Sequence, residues 1–261
     1  MTPFRCSKCS SRAIYFRRSD GLWLCASCLG KFLKKRVESY LRRRRDLTPQ
    51  ERILVVLAGG TKSLVNLDLI CRVERVYPLV EVKAIIIREP VVIPPKINLV
   101  KVLRNIAGEL GVEVVGEVDI NCESNDVWRA RLVACLDVVK AMGFTSVALG
   151  MTLDDRVVNL LYGLVTGRVT FPEYMINGIK VLTPLMSIFL KEVLIYGISM
   201  GFPVFYSGCL RDTNEKVITN FIYELEEEDP NVKFTLCGSL TKVLGLMGGR
   251  GASSEVDPHS R

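Results

Sequence analysis

The chain has 261 residues, 49% of them hydrophobic, which is enough to bury one main domain plus a small appendage. It opens Met-Thr-Pro-Phe-Arg-Cys, without a signal-peptide pattern, and its most apolar region, Val181 to Leu210, is broken by Pro184, Lys191-Glu192 and Pro203. A soluble cytoplasmic protein with no membrane partner is expected. The net charge of +7 is uneven: residues 1–50 hold 13 Lys/Arg against 3 Asp/Glu, the remaining 211 hold 22 against 25. A basic head on a mildly acidic body predicts that the head meets a polyanion.

Residues 1–28 read as a zinc ribbon. Cys6-Ser-Lys-Cys9 and Cys25-Ala-Ser-Cys28 are two CxxC pairs separated by fifteen residues. Each pair supplies two thiolates from one tight turn, and four thiolates complete a tetrahedral, structural Zn²⁺ site with no open position for catalysis. Between the pairs, Ala13 to Phe16 and Leu22 to Leu24 predict two short strands around a turn at Ser19-Asp20-Gly21. Residues 29–50 form a basic helix and linker. Phe32, Leu33, Val37, Tyr40 and Leu41 give an apolar stripe over Leu29 to Arg45, and Lys34, Lys35, Arg42, Arg43, Arg44 and Arg45 line up as candidate phosphate contacts on RNA.

Residues 51–247 alternate strand and helix patterns. Ile53 to Leu57 is a continuous apolar run, as in a parallel strand buried on both faces. It leads into Ala58-Gly59-Gly60-Thr61-Lys62-Ser63, a glycine turn ahead of a helix, where unpaired N–H groups favour phosphate. Strands follow at Val80 to Ile87, Val112 to Val118 and Thr145 to Leu149, with helices at Ile97 to Leu110, Val127 to Met142 and Leu153 to Val165. This rhythm predicts a parallel α/β sheet with helices on both faces and ligands at the carboxyl ends of its strands. Gly150 ends the fourth strand at that edge. Asp154 and Asp155 open the next helix, where they favour its dipole or offer a carboxylate to Mg²⁺ or a substrate amine. Residues 167–186 read as irregular. A helix is expected from Leu190 to Met200, a strand at Pro203 to Tyr206, and helices from about Asp212 to Glu227 and Lys233 to Leu246. Cys71 and Cys237 read as packing residues. The tail, 248–261, is Gly/Ser-rich, is expected to be disordered, and holds the sole histidine, His259, which excludes a Ser-His or Cys-His pair from the folded part.

In this order, the motifs resemble those of the PP-loop family that thiolates tRNA uridines, the TtuA-type and cytosolic thiouridylase group. The two CxxC pairs come first. The family's S-G-G-K-D-S is similar to Ala58 to Ser63. Its C-x-x-C with a following Arg pair is similar to Cys122-Glu123-Ser124-Asn125 with Arg129 and Arg131, and its G-H-N-L-D-D to Gly150 to Asp155. Its R-V-K-P-L and K-E-V look like Val181 to Leu185 and Lys191 to Val193, and a late cysteine matches Cys209. The resemblance implies a Rossmann-like PP-loop fold of the adenine nucleotide alpha hydrolase type. It implies ATP and Mg²⁺ at Ala58, Gly59, Gly60, Lys62, Ser63, Gly150, Asp154 and Asp155, and sulfur chemistry at Cys122 and Cys209. Adenylation of uridine, sulfur transfer and a ubiquitin-like sulfur carrier belong to the same implication.

The chain departs from the family where chemistry is done. Ala58 replaces the loop Ser, Lys62 the Asp, Met151-Thr152 the His-Asn, Asn125 a cysteine and Thr183 a lysine. Cys122 and Cys209 are two of three expected ligands, too few for a stable 4Fe–4S cluster. The sequence therefore predicts a tRNA-binding subunit with weak or no ATP chemistry, paired with a catalytic paralogue or a second copy of itself. The alternatives are an active ATP-dependent sulfurtransferase and an adenine-nucleotide-binding protein unrelated to RNA.

Overall fold

The computed structural model describes residues 4–43, 50–58, 60–74, 80–92, 97–120, 127–167, 175–207 and 213–246. Strands β1 (Tyr15–Arg17) and β2 (Leu22–Leu24) pair antiparallel, with Phe16 opposite Trp23. Gly21, at φ +69°, sits in the connecting turn. Helix α1 (Ala26–Arg43) starts three residues earlier than the periodicity predicts, beside the second cysteine pair. Leu29, Leu33, Val37 and Leu41, spaced by four, are all buried. Burying each such side chain contributes about 1.5–3 kcal/mol, so this stripe fixes the helix to the body.

The next elements are β3 (Arg52–Leu57), α2 (Thr61–Glu74), β4 (Glu81–Arg88), the short β5 (Val91–Val92), α3 (Leu99–Glu109), β6 (Val114–Asp119), α4 (Val127–Met142), β7 (Ser146–Ala148) and α5 (Leu153–Thr166). After them come β8 (Met175–Ile176), β9 (Ile179–Leu182), α6 (Leu190–Ser199), β10 (Tyr206–Ser207), α7 (Thr213–Glu228) and α8 (Val232–Leu246). The main sheet has the order β6-β4-β3-β7-β9-β8, parallel throughout except for the β8–β9 hairpin.

Alternation along β3 divides the core. Ile53, Val55 and Leu57 face one cluster with residues of α1, α2, α3 and α6, while Leu54 and Val56 face another with α4. Helices thus cover both faces, as expected of a parallel sheet. Helices α5, α7 and α8 share a third cluster around Leu153, Val157, Phe189, Ile222 and Cys237. The ribbon is not a separate bead: Cys6, Tyr15, Leu24 and Cys25 belong to the same cluster as Ile53 and Val55.

Two expectations are corrected. Residues 167–186 are not irregular throughout: β9 is the fifth parallel strand, reached by a turn at Asn177 (φ +50°) and Gly178 (φ +80°). An Asn-Gly turn with two positive φ angles has the twist that closes a hairpin. The strand expected at Pro203 to Tyr206 is reduced to β10, which pairs with β5 outside the main sheet. Among the described residues, no helix is long and apolar enough to cross a membrane.

Candidate functional site

The chain order reverses between β3 and β7. Strands β4 and β6 lie on one side of β3, and β7 and β9 on the other. The crevice at the carboxyl ends of β3 and β7 is therefore the ligand position of such a sheet. From β3 the chain passes through Ala58 into α2. Gly59 lies outside the described residues, as do Cys122, Cys209, Arg44, Arg45 and the tail 248–261. The carbonyl of Gly60 accepts from Ser63 N at 3.0 Å and from Ser63 Oγ at 2.7 Å, which closes the turn at the helix start. Thr61 Oγ1 donates to Pro203 O at 2.9 Å and ties the loop to the segment after α6. A Cβ on Gly150 would lie 2.9 Å from Lys62 O and 3.2 Å from Ser63 N. The loops after β3 and β7 therefore touch backbone to backbone, and glycine is required there for close approach rather than for its φ.

Charge is disposed at this edge in a way that composition does not reveal. Lys62 Nζ donates to both oxygens of Asp155, at 2.9 and 2.8 Å. Asp155 Oδ2 also accepts from Thr152 N at 2.9 Å and Thr152 Oγ1 at 2.7 Å, within a capping box that starts α5. Burial pushes the Asp155 carboxyl up, but the Lys62 ammonium and the Thr152 donors outweigh it and hold it below the ordinary carboxylate range. The indole of Trp128 lies 5.0 Å from Lys62 Nζ, which adds a cation–π contact.

The neighbouring carboxylate is occupied as well. Asp154 Oδ1 takes Lys233 Nζ and Asp154 Oδ2 takes the Leu190 N–H at 2.6 Å. Burial raises the Asp154 pKa despite its lysine partner. Lys233 also reaches Glu226 at 2.7 Å, and Glu226 reaches Lys191 at 2.5 Å, so α5, α6, α7 and α8 meet in one buried charge network. Arg131 makes a bidentate pair with Glu89 at 2.8 and 2.6 Å. Met151 is fully buried, and Thr183 Oγ1 lies 3.0 Å from Tyr40 Oη of α1. Among the described residues, the positions that depart from the family pattern (Ala58, Lys62, Met151, Thr152 and Thr183) are thus packed or paired internally, while Asn125 lies outside the described residues. A magnesium ion needs carboxylate oxygens, and those of Asp154 and Asp155 are already held by lysines and N–H groups. The described residues do not fit Mg²⁺ without displacing Lys62.

The ribbon presents the second site. The Sγ atoms of Cys6, Cys9, Cys25 and Cys28 all lie within 4.8 Å of one another. Zn–S bonds of about 2.3 Å in a tetrahedron set sulfur separations near 3.8 Å, so this donor set fits a zinc ion. Lys8 N approaches Cys6 Sγ at 3.4 Å and Cys28 N approaches Cys25 Sγ at 3.5 Å, the N–H contacts that stabilise thiolates. Against the cost of burial, such contacts lower Cys6 to about 6. Hydrogen bonding to Cys9, with burial, pushes Cys28 up to about 12. Arg17 Nε donates to Glu192 Oε1 at 2.6 Å, a buried ion pair between ribbon and α6.

Of the predicted RNA contacts, Lys34 is half-buried and Lys35 exposed on α1. Arg42 pairs with Glu38 at 2.7 Å and Arg43 bonds Ser39 Oγ at 3.2 Å, both remaining exposed. Sequence reasoning missed Lys233, Glu226, Trp128 and the Arg17–Glu192 pair. Lysine and aspartate on the two loops that the topology brings together were the available signal for the Lys62–Asp155 pair.

No family model matches the sequence. The tRNA-5-methyluridine(54) 2-sulfurtransferase of Thermus thermophilus is 39% identical over 67 residues, 26% of this chain and 21% of its own length. The matched stretch thus spans about one fifth of that relative. The structure of the U34-tRNA thiolase NcsA from Methanococcus maripaludis, solved with its 4Fe–4S cluster, matches with a TM-score of 0.76 at 20% identity, over 100% of this chain and 95% of that one. A fainter likeness is to the ammonia-dependent NAD synthetase of Campylobacter jejuni, at TM-score 0.45 and 17% identity over 89% of this chain and 99% of that one. The two stronger likenesses are to proteins named for thiolating tRNA uridines, the activity of the family that the motifs resemble, and the second of them shares the α/β fold of this chain.

Proposed function

We propose that this chain, a PP-loop protein by its fold, is a tRNA-binding subunit of uridine 2-thiolation with weak or no ATP chemistry of its own. One observation carries the reading: Lys62 holds both oxygens of Asp155, so the ion pair itself occupies the edge where phosphate and metal would meet. Ser63 spends its hydroxyl on Gly60 O, and Ala58 has none to offer. Both similar proteins are named for acting on tRNA uridines, which supports the substrate class. The four cysteines hold structural Zn²⁺, and the basic face of α1 follows the RNA backbone. The chain pairs with a paralogue of intact loop, to which catalysis falls with a ubiquitin-like sulfur carrier as donor, or with a second copy of itself. An active sulfurtransferase would need Lys62 to exchange Asp155 for phosphate.

The test has two arms. Purified protein with tRNA and ATP is expected to release no pyrophosphate above background, and sustained tRNA-dependent release would refute the non-catalytic reading. Binding of tRNA is expected to weaken steeply with salt. Replacing Lys34, Lys35 and Arg42 to Arg45 by Gln should lower both affinity and salt slope, by about one unit of slope per lost phosphate contact. Unchanged affinity and slope would remove α1 from the RNA interface.

A further inference from the structure

The outward face of the ribbon hairpin is aromatic where a solvated hairpin face is ordinarily polar. In β1, Tyr15 and Arg17 point inward and Phe16 outward. Phe16 sits opposite Trp23, their centroids 4.8 Å apart and their planes tilted by 34°. Phe4 stacks on Trp23 with centroids 4.0 Å apart and planes 5° from parallel. Phe4 is 62% exposed, Ile14 44% and Phe16 41%. Isolated exposed apolar residues are ordinary, but stacked rings forming one patch mark a binding surface.

Charge decides what the patch fits. Residues 4–28 carry Arg5, Lys8, Arg12, Arg17 and Arg18 against a single acid, Asp20. Arg17 is taken by Asp20 and Glu192 and Arg18 by Glu227, so Arg5, Lys8 and Arg12 are the cations of this segment with no acidic partner among the described residues. Arg5 and Arg12 are bridged beside Phe4, and both are exposed, as is Lys8. Protein interfaces deplete charge at their apolar centre and match it with opposite charge. Open aromatic rings set among unopposed cations instead fit a ligand with flat apolar faces and a polyanionic backbone, which is single-stranded nucleic acid.

We propose that the Phe4–Trp23–Phe16 stack is a seat for an unpaired nucleobase, with Arg5, Lys8 and Arg12 holding the adjoining phosphates. This rests on the RNA-binding reading above and adds to it a requirement for an unpaired base. The seat differs from the cationic face of α1, which contacts backbone of any sequence or pairing.

The experiment compares a fluorescent oligouridylate with an RNA duplex of equal length. Phe4 is exposed, so Phe4→Ala and Phe4→Trp should both keep the metal content and thermal midpoint of the native chain. Phe4→Ala should lose about tenfold or more in affinity for the oligouridylate, with duplex affinity unchanged. Phe4→Trp should restore binding, and its added indole emission should be quenched by the oligouridylate. If the native protein binds oligouridylate and Phe4→Ala binds it equally well, the seat is refuted while RNA binding stands. If the native protein binds neither RNA, the RNA reading falls and the seat with it. If Phe4→Ala instead dissociates a dimer without changing RNA affinity, the patch is a protein contact and the seat is refuted.

Discussion

Replacing Lys62 by Met isolates the charge that distinguishes this loop. The side chain of Asp155 is 5% exposed and that of Lys62 23%. Removing one partner of a buried pair costs about 3–5 kcal/mol, because the remaining charge is stranded. Thr152 still donates twice to Asp155 and the Lys62 head is partly hydrated, so the lower end applies, about 3 kcal/mol at pH 7. The pH dependence has a definite sign. In the native protein the Asp155 pKa is depressed, so its contribution is present above the unfolded value of about 3.9 and is lost as pH falls through the folded value. In Lys62→Met the depression is gone and burial raises the pKa, so the variant's deficit shrinks as pH falls from 7 towards 5. Urea unfolding at both pH values measures the deficit, and Lys62→Met/Asp155→Asn should recover much of it. A deficit below about 0.5 kcal/mol at pH 7 would place the pair with ordinary surface salt bridges and refute the argument.

Three further outcomes follow from the packing. Gly150→Ala puts a methyl 2.9 Å from Lys62 O and should cost about 1–3 kcal/mol in urea unfolding, although Gly→Ala usually stabilises where space allows. Arg17→Met strands Glu192, whose Oε2 is already buried without a partner, and should cost about 3–5 kcal/mol and make the ribbon the first site of limited proteolysis. Elemental analysis of protein purified without added metal should find about one zinc per chain, and a strong chelator should lower the thermal midpoint of the whole domain, because the ribbon shares its core.

Much of this was legible in the sequence where periodicity and spacing carry the signal. The buried run at Ile53 to Leu57, the four-spaced stripe of α1 and the CxxC spacing each encode a local geometry directly. The fifth strand was harder: Ile179–Leu182 is four residues long, and only the Asn177-Gly178 turn before it marks a hairpin. The pairing of Lys62 with Asp155 spans 93 residues, and that of Lys233 with Asp154 spans 79. Such pairs follow from topology and crossing geometry, which local pattern does not contain. A lysine in a glycine loop reads as an anion ligand until the carboxylate opposite is located. The outward aromatics of the ribbon likewise read as strand formers until their burial is known.

The continuity of the ribbon's interior with the sheet's has a consequence for recognition. A head carried on a flexible tether samples many positions, and loses that freedom when it binds. Here Cys6, Tyr15, Leu24 and Cys25 pack in one body with Ile53 and Val55, and Arg17 is locked to Glu192. The span from the hairpin's outer rings to the loop after β3 is therefore set before any ligand arrives. On the RNA-binding reading proposed above, an RNA that reached from the rings to that loop would be selected by its shape, and one of the wrong span would engage the rings alone.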